Sequence, residues 1–304
     1  YDVIVGNNVL IAGAALLDYG EKTIRFQKHD EKTTPVMEDD SSPSWWNYVR
    51  SLKEDFSEKD FSLLCDAIWD FRDIFSNKND PPGKLRNIFH HIDTGDSKPI
   101  RLPLRVTSPE KEKFIQNEVQ RLLDLGIIRE SDSDWAAAIT LPKKKSGDYR
   151  FCTDFRSLNS HTALDAFPIP RIEDMLQTLR GNKFFTSLDA LSGYWNVEIA
   201  EEDKKKTAFR VRGGLYEWNR MPFGLKNAGA TFQRAMGNLL WNIVLLYIDD
   251  LLVFSKTFEE HICHLRKVFA KIRDCGLKLN ITKCKFGRSE VEYLGHKISS
   301  TGIQ

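Results

Sequence analysis

Apolar residues recur along this chain at two different spacings. Between positions 45 and 75, Trp, Leu and Phe return at helical intervals and predict one or two helices. Ser108-Pro109-Glu110 predicts a helix start, with a Ser cap, Pro at the first position and an acid in the first turn. Phe114, Ile115, Val119, Leu122 and Leu123 form one stripe, and Gly126 marks the stop. Positions 228–240 read as another helix. Thr257-Phe258-Glu259-Glu260 has the form of a capping box, and Ile262, Leu265, Val268, Phe269 and Ile272 then line one face as far as Gly276. Strands are predicted at 183–188 and 195–199, with short alternating strands through Ile298. Apolar runs at 242–248 and 251–254 flank Asp249-Asp250, which predicts a β-hairpin carrying both acids at its turn. Short Gly-punctuated strands are expected within residues 1–24, a polar linker at 25–44 and a loop at 77–83. Interleaved helices and antiparallel strands indicate an α+β fold rather than a parallel doubly wound sheet.

Composition bounds the rest. The 304 residues leave room for about two domains and a large core, with 41% hydrophobic and 29% charged residues. A net charge of +1 does not mark a dedicated nucleic-acid binder, so local clusters such as Lys143-Lys144-Lys145 and Lys204-Lys205-Lys206 matter more. Five scattered cysteines argue against a disulfide framework and for a reducing compartment. The intervals among His261, Cys263, His264, Cys275 and Cys284 match no usual zinc-finger spacing, so these are read as packing or surface residues. No apolar run is long enough to predict membrane insertion, and there is no signal-peptide pattern. A first residue other than Met suggests a fragment or a processed product.

Asp249 and Asp250 carry the chemistry. Two like charges side by side in an apolar hairpin repel each other unless a cation lies between them. Hard divalent ions take carboxylate oxygens together with substrate phosphates, and paired ions drive in-line displacement at phosphorus. A solvated Asp-Asp turn is the competing reading of the dipeptide alone. A third acid is needed elsewhere, and the strand Phe184-Phe185-Thr186-Ser187-Leu188-Asp189 ends on one.

Six segments then resemble a reverse transcriptase, in order and approximate spacing. They are Ser187-Leu188-Asp189, Ser192-Gly193-Tyr194-Trp195, Lys206-Thr207-Ala208-Phe209, the run Met221-Pro222-Phe223-Gly224-Leu225-Lys226-Asn227-Ala228, Thr231-Phe232-Gln233-Arg234 and Tyr247-Ile248-Asp249-Asp250. Upstream, Ile92-Asp93-Thr94-Gly95, Lys98-Pro99-Ile100-Arg101 and the stretch Tyr149-Arg150-Phe151-Cys152-Thr153-Asp154-Phe155-Arg156-Ser157-Leu158-Asn159 resemble its fingers. Phe286 and Tyr293-Leu294-Gly295-His296 resemble the end of its palm. The class is similar to the gypsy type of long-terminal-repeat retrotransposon Pol polyprotein. Tyr1-Asp2-Val3-Ile4-Val5-Gly6-Asn7, Ala12-Gly13-Ala14 and Leu17-Asp18-Tyr19-Gly20 resemble the tail of its retropepsin-like protease, without the catalytic Asp-Ser/Thr-Gly.

The resemblance implies right-hand polymerase fingers and palm over 92–304 with the thumb absent or incomplete, a linker with one or two helices at 29–91, and a protease remnant at 1–28. It implies that Asp189, Asp249 and Asp250 hold two Mg²⁺ ions, with Mn²⁺ as an alternative. Lys144 or Lys145, with Arg150, is expected to clamp the triphosphate, the run of three lysines leaving the alignment open, and Tyr194 to bar the ribose 2′-hydroxyl. Ala190, Phe223, Gly224 and Lys283 are expected near the nucleotide. The implied partners are an RNA or DNA template with primer, dNTPs and the other Pol regions (ribonuclease H, integrase and protease), in a cytoplasmic particle and with no membrane. Two departures stand out: Gly229 replaces the usual proline, and the span from Met236 to Tyr247 is about four residues short, judged by family spacing. The short span raises an alternative, a catalytically inert remnant that still binds nucleic acid, because a displacement of about 1 Å at a reacting centre can cost orders of magnitude in rate.

Overall fold

A computed structural model describes residues 15–18, 23–26, 43–77, 80–144, 147–168, 171–237, 243–247, 250–300 and 302–303. The chain divides into compact units at 1–44 and 45–304. In the first unit, Ala15–Asp18 and Thr23–Phe26 pair antiparallel. The other strand positions expected there, at 1–14, lie outside the described residues.

The second unit is organised on a four-stranded antiparallel sheet made of β1 (Phe184–Asp189), β2 (Val244–Tyr247), β3 (Asp250–Ser255) and β4 (Lys285–Arg288), in the spatial order β2-β3-β1-β4. Alternation along the strands sends side chains to opposite faces. Leu188, Leu251, Val253 and Leu246 join the main core, together with Leu265, Val268 and Phe269 of a long helix. Phe185, Leu252, Phe254 and Leu245 point the other way, into a second cluster with Met175, Leu176, Val291, Tyr293 and Ile298. Both faces are covered, which explains why these strands read as nearly continuous apolar runs. The hairpin Glu290–Tyr293 and His296–Ser299 supplies part of the second layer.

The helices follow their caps. In α1 (Glu58–Asp70) the Ser57 hydroxyl accepts the Asp60 amide, and Leu64, Ala67 and Ile68 are buried. Helix α2 (Pro109–Asp124) buries Ile115, Val119 and Leu122 and stops at Gly126, whose φ of +65° suits glycine. Its Ser108 side chain makes no cap bond; instead Thr107 Oγ1 donates to Glu112 Oε2 at 2.7 Å. Helix α3 spans Ala228–Met236, and the predicted extension past 237 lies outside the described residues. Helix α4 (Phe258–Cys275) has its capping box: Thr257 Oγ1 accepts the Glu260 amide, and Glu260 Oε2 accepts the Lys256 amide at 2.9 Å.

Two expectations are revised by packing. The compact unit begins at Trp45, so much of the segment read as linker belongs to the same body as the palm. Phe75 packs edge-on against Phe269 with ring centroids 5.3 Å apart, and Phe75–Ser76 pairs parallel with Leu279–Asn280. The strand expected at 195–199 starts inside a 3-10 turn, Gly193–Asn196, and the chain is extended only from Val197, with Glu198–Ile199 as the strand. The buried Asn196 amide causes this by donating to the carbonyls of Leu191 at 2.9 Å and Gly193 at 3.0 Å, which curls the chain.

Candidate active site

Asp189 ends β1 and Asp250 begins β3, and the two are direct antiparallel partners. Directly opposed residues place their Cβ atoms about 5 Å apart on one face of the sheet, and like charges there repel. The structure offsets the repulsion with Lys283, whose Nζ donates to Asp189 at 3.2 and 3.3 Å. Lys283 stands on the turn Ile281–Lys283, anchored by the fully buried Ile281, just before β4. Tyr247 pairs with Asp250, so Asp250 is a strand residue rather than a turn residue. Asp249 lies outside the described residues. Gln233 Nε2 of α3 donates to Leu246 O of β2 at 3.2 Å.

Below Asp189 the chain is tightly bound. Ala190 bridges to Leu279, and the Leu191 amide donates to Lys278 O at 2.8 Å. Ser192 adopts a left-handed conformation, φ +49°, which turns the chain towards Tyr194. The Tyr194 ring packs between Phe223, at 4.9 Å between centroids, and Phe232, at 5.8 Å. Phe223 is half-exposed, and Gly224 has φ +95°. A Cβ on Gly229 would sit 3.8 Å from the Tyr194 hydroxyl, so the residue in the proline position borders this ring.

The fingers meet the same loop. Asn159 Nδ2 donates to Gly224 O at 2.7 Å, and its Oδ1 accepts the Lys226 amide at 2.9 Å. Strands Ile139–Thr140 and Cys152–Thr153 pair antiparallel and extend into a hairpin, where Lys143 bridges Tyr149 and the Lys144 amide donates to Asp148 O. Lys144 is exposed near its tip and Arg150 is exposed on the return. Lys145 lies outside the described residues.

Sequence reasoning assigned no role to the cluster at the base of this hairpin. A cavity of about 390 Å³ is lined by Thr140, Thr153, Asp154, Phe155, Arg156, Asn159 and Gly224. Arg156 donates to Asp154 through Nε at 2.8 Å and Nη2 at 2.7 Å, and Arg105 adds a third bond at 2.6 Å. The Arg156 hydrogen bonds hold the Asp154 carboxyl down to about 2. The Asp-Phe-Arg spacing was the available signal, since a carboxylate and a guanidinium two residues apart can pair across one turn.

The chemistry of these groups narrows to one kind of ligand. Two opposed carboxylates are hard oxygen donors of the type divalent cations such as Mg²⁺ take alongside phosphates, so Asp189 and Asp250 fit such an ion. Residues 141–298 match the family described as reverse transcriptase (RNA-dependent DNA polymerase). The retrovirus-related Pol polyprotein from transposon 297 of Drosophila melanogaster is 31% identical over all of this chain and 31% of its own length. That from transposon gypsy of the same fly is 33% identical over all of this chain and 30% of its own length. The chain thus spans about a third of the length of the curated relatives it matches. The foamy viral protease-reverse transcriptase in complex with RNA/DNA hybrid has the same fold, with a TM-score of 0.79 at 24% identity over 86% of this chain and 36% of that one. Its fingers and palm are the α+β arrangement described above, and the chain belongs to the reverse transcriptase family.

Proposed function

We propose that this chain is the fingers and palm of an RNA-directed DNA polymerase that adds dNTPs to a primer 3′-hydroxyl within a retrotransposon Pol polyprotein. The in-register pairing of Asp189 with Asp250, neutralised on one side by Lys283, carries this reading. The family depends on divalent metal in general. Asp189, Asp249 and Asp250 would hold two Mg²⁺ ions, with Mn²⁺ as a substitute, and such ions supply charge neutralisation and activation of the attacking oxygen.

The chain's own residues do the rest. Asp189 and Asp250 present acceptor oxygens on one face of a sheet buried on both sides, so their spacing is fixed before substrate arrives. Lys144, Lys145 and Arg150 supply cations to the triphosphate, and Lys283 adds one beside Asp189. Ala190 and the strained Ser192 deliver Tyr194 to its place, where the ring excludes a 2′-hydroxyl. Phe223 backs that ring and Gly224 keeps the loop close to the fingers. Template and primer, RNA or DNA, are the macromolecular partners, and the Pol ribonuclease H, integrase and protease regions are the covalent ones. Residues 1–28 are read as the end of that protease, and reverse transcription is placed in a cytoplasmic particle. In-register Asp250 favours an active polymerase over an inert remnant.

The test is primer extension on poly(rA)/oligo(dT) with Mg²⁺ and dTTP, comparing the chain with Asp249→Asn. Extension lost in the variant supports the reading. Silence in both, persisting after the downstream Pol region is restored, sinks it in favour of the remnant.

A further inference from the structure

Beneath the opposed carboxylates, on the other face of the sheet, lies a buried polar chain that the proposed chemistry does not use. His261 of α4 is fully buried. Its Nε2 is hydrogen-bonded to Thr186 Oγ1 of β1 at 2.6 Å, and its Nδ1 to Ser255 Oγ of β3 at 3.0 Å. Thr186 Oγ1 also accepts the Gly287 amide of β4 at 2.9 Å, where that strand's register shifts against β1. His264 Nδ1 reaches both Ser255 Oγ at 2.8 Å and Phe254 O at 3.1 Å.

The proton pattern follows from what each atom can do. A carbonyl only accepts, so His264 carries its proton on Nδ1 and donates to Phe254 O and Ser255 Oγ. Ser255 then gives its own proton to His261 Nδ1, which leaves His261 Nε2–H donating to Thr186. Burial pushes the His261 pKa down to about 3, which keeps the ring neutral in this assignment. Phe184 and Phe258 flank the imidazole at 6.4 and 6.5 Å and exclude water. The capped first turn of α4 fixes the backbone that carries it.

One ring therefore ties three strands together. Thr186 lies three residues before Asp189, and Ser255 lies at the far end of β3 from Asp250. Side chains alternate along a strand, so a one-residue slip of β1 would turn Thr186 away from His261 and Asp189 into the α4 core. Apolar residues alone specify that register weakly here, because both faces of the sheet are apolar. Directional hydroxyl–imidazole bonds supply the discrimination that oil-like packing lacks.

We propose that His261 is a positioning residue that holds Asp189 opposite Asp250 in their cation-binding arrangement. The proposal rests on the metal-site reading above. Its test is Mn²⁺ binding, followed by electron paramagnetic resonance on the chain and on Asp250→Asn, His261→Phe, His261→Gln and Thr186→Val. Groups that orient metal ligands typically contribute about 10- to 100-fold in affinity. His261→Phe is expected to weaken Mn²⁺ binding at least about tenfold while still melting cooperatively. His261→Gln, which keeps a donor near Thr186, should recover most of the loss. Thr186→Val should lose affinity with the imidazole in place, which keeps the test decisive if His261→Phe does not fold. Binding by folded Thr186→Val within about twofold of the parent overturns the proposal, since a tenfold effect is expected. If the parent and Asp250→Asn bind Mn²⁺ alike, it is the metal-site reading that has failed.

Discussion

Lys283 holds its ammonium 3.2 Å from the Asp189 carboxylate, on the strand directly opposite Asp250. The lysine supplies positive charge where a divalent ion would, and both partners remain partly exposed to solvent. An exposed pair of this kind contributes only about 0–1 kcal/mol. Lys283→Ala should therefore melt close to the parent without metal. Mg²⁺ should raise its melting temperature more than the parent's, because the carboxylate repulsion is then relieved by the ion alone. An equal Mg²⁺ shift in the two proteins, by differential scanning fluorimetry, contradicts this.

Asp250→Asn removes one of two opposed charges without changing shape. Primer extension should fall at least about a hundredfold, the scale of losing one electrostatic contact to a reacting centre. Thermal stability in chelator should hold or rise, since the repulsion is gone. A coupled fall in both activity and stability would instead assign Asp250 a structural role.

Tyr194 packs at a tilt against Phe223 and Phe232 and borders Gly229. Tyr194→Val should raise the ratio of kcat/KM for UTP over dTTP by about 10- to 100-fold, the range of a single steric contact. Single-nucleotide incorporation measures it, and an unchanged ratio removes Tyr194 from sugar selection.

Acid should unfold this unit through its histidines. Burial lowers the His90 pKa to about 4 and the His261 pKa to about 3, so neither ring takes up the proton that its unfolded counterpart accepts near pH 6.5. The stability contributed is full above that unfolded value and is lost as pH falls towards the folded ones. Each histidine adds a slope of about 1.4 kcal/mol per pH unit between pH 6 and 5. Urea melts at the two pH values should show it, and His90→Gln should reduce the slope by one histidine's share. A slope unchanged by that substitution would falsify the assignment.

Gly276 ends α4 at φ +83°, and its added Cβ would strike the Lys84 carbonyl. The Lys84 amide already donates to Gly276 O at 3.0 Å and the Arg86 amide to Cys275 O at 3.1 Å. Gly276→Ala should cost about 2 kcal/mol or more, from left-handed strain together with a backbone collision. Denaturant melts test it. A neutral result would detach the 80–91 segment from the palm.

The sequence by itself determined the family resemblance and most of the elements that bear the candidate site. Asp189 at a strand end, the acids beyond Tyr247, the capping box at Thr257 and the stripe from Ile262 to Ile272 are local or periodic signals, and propensity and patterning act over a few residues. Tertiary structure decided what depends on distant partners. Asn196 curls a predicted strand because carbonyls come within reach of its amide, and Trp45 to Ser76 joins the palm because Phe75 finds Phe269. Arg105 joins Asp154 from 49 residues away and Thr186 meets His261 across 75, so no window of sequence displays either cluster whole. Buried polar groups must find partners wherever the fold places them, and only the assembled core fixes where those partners are.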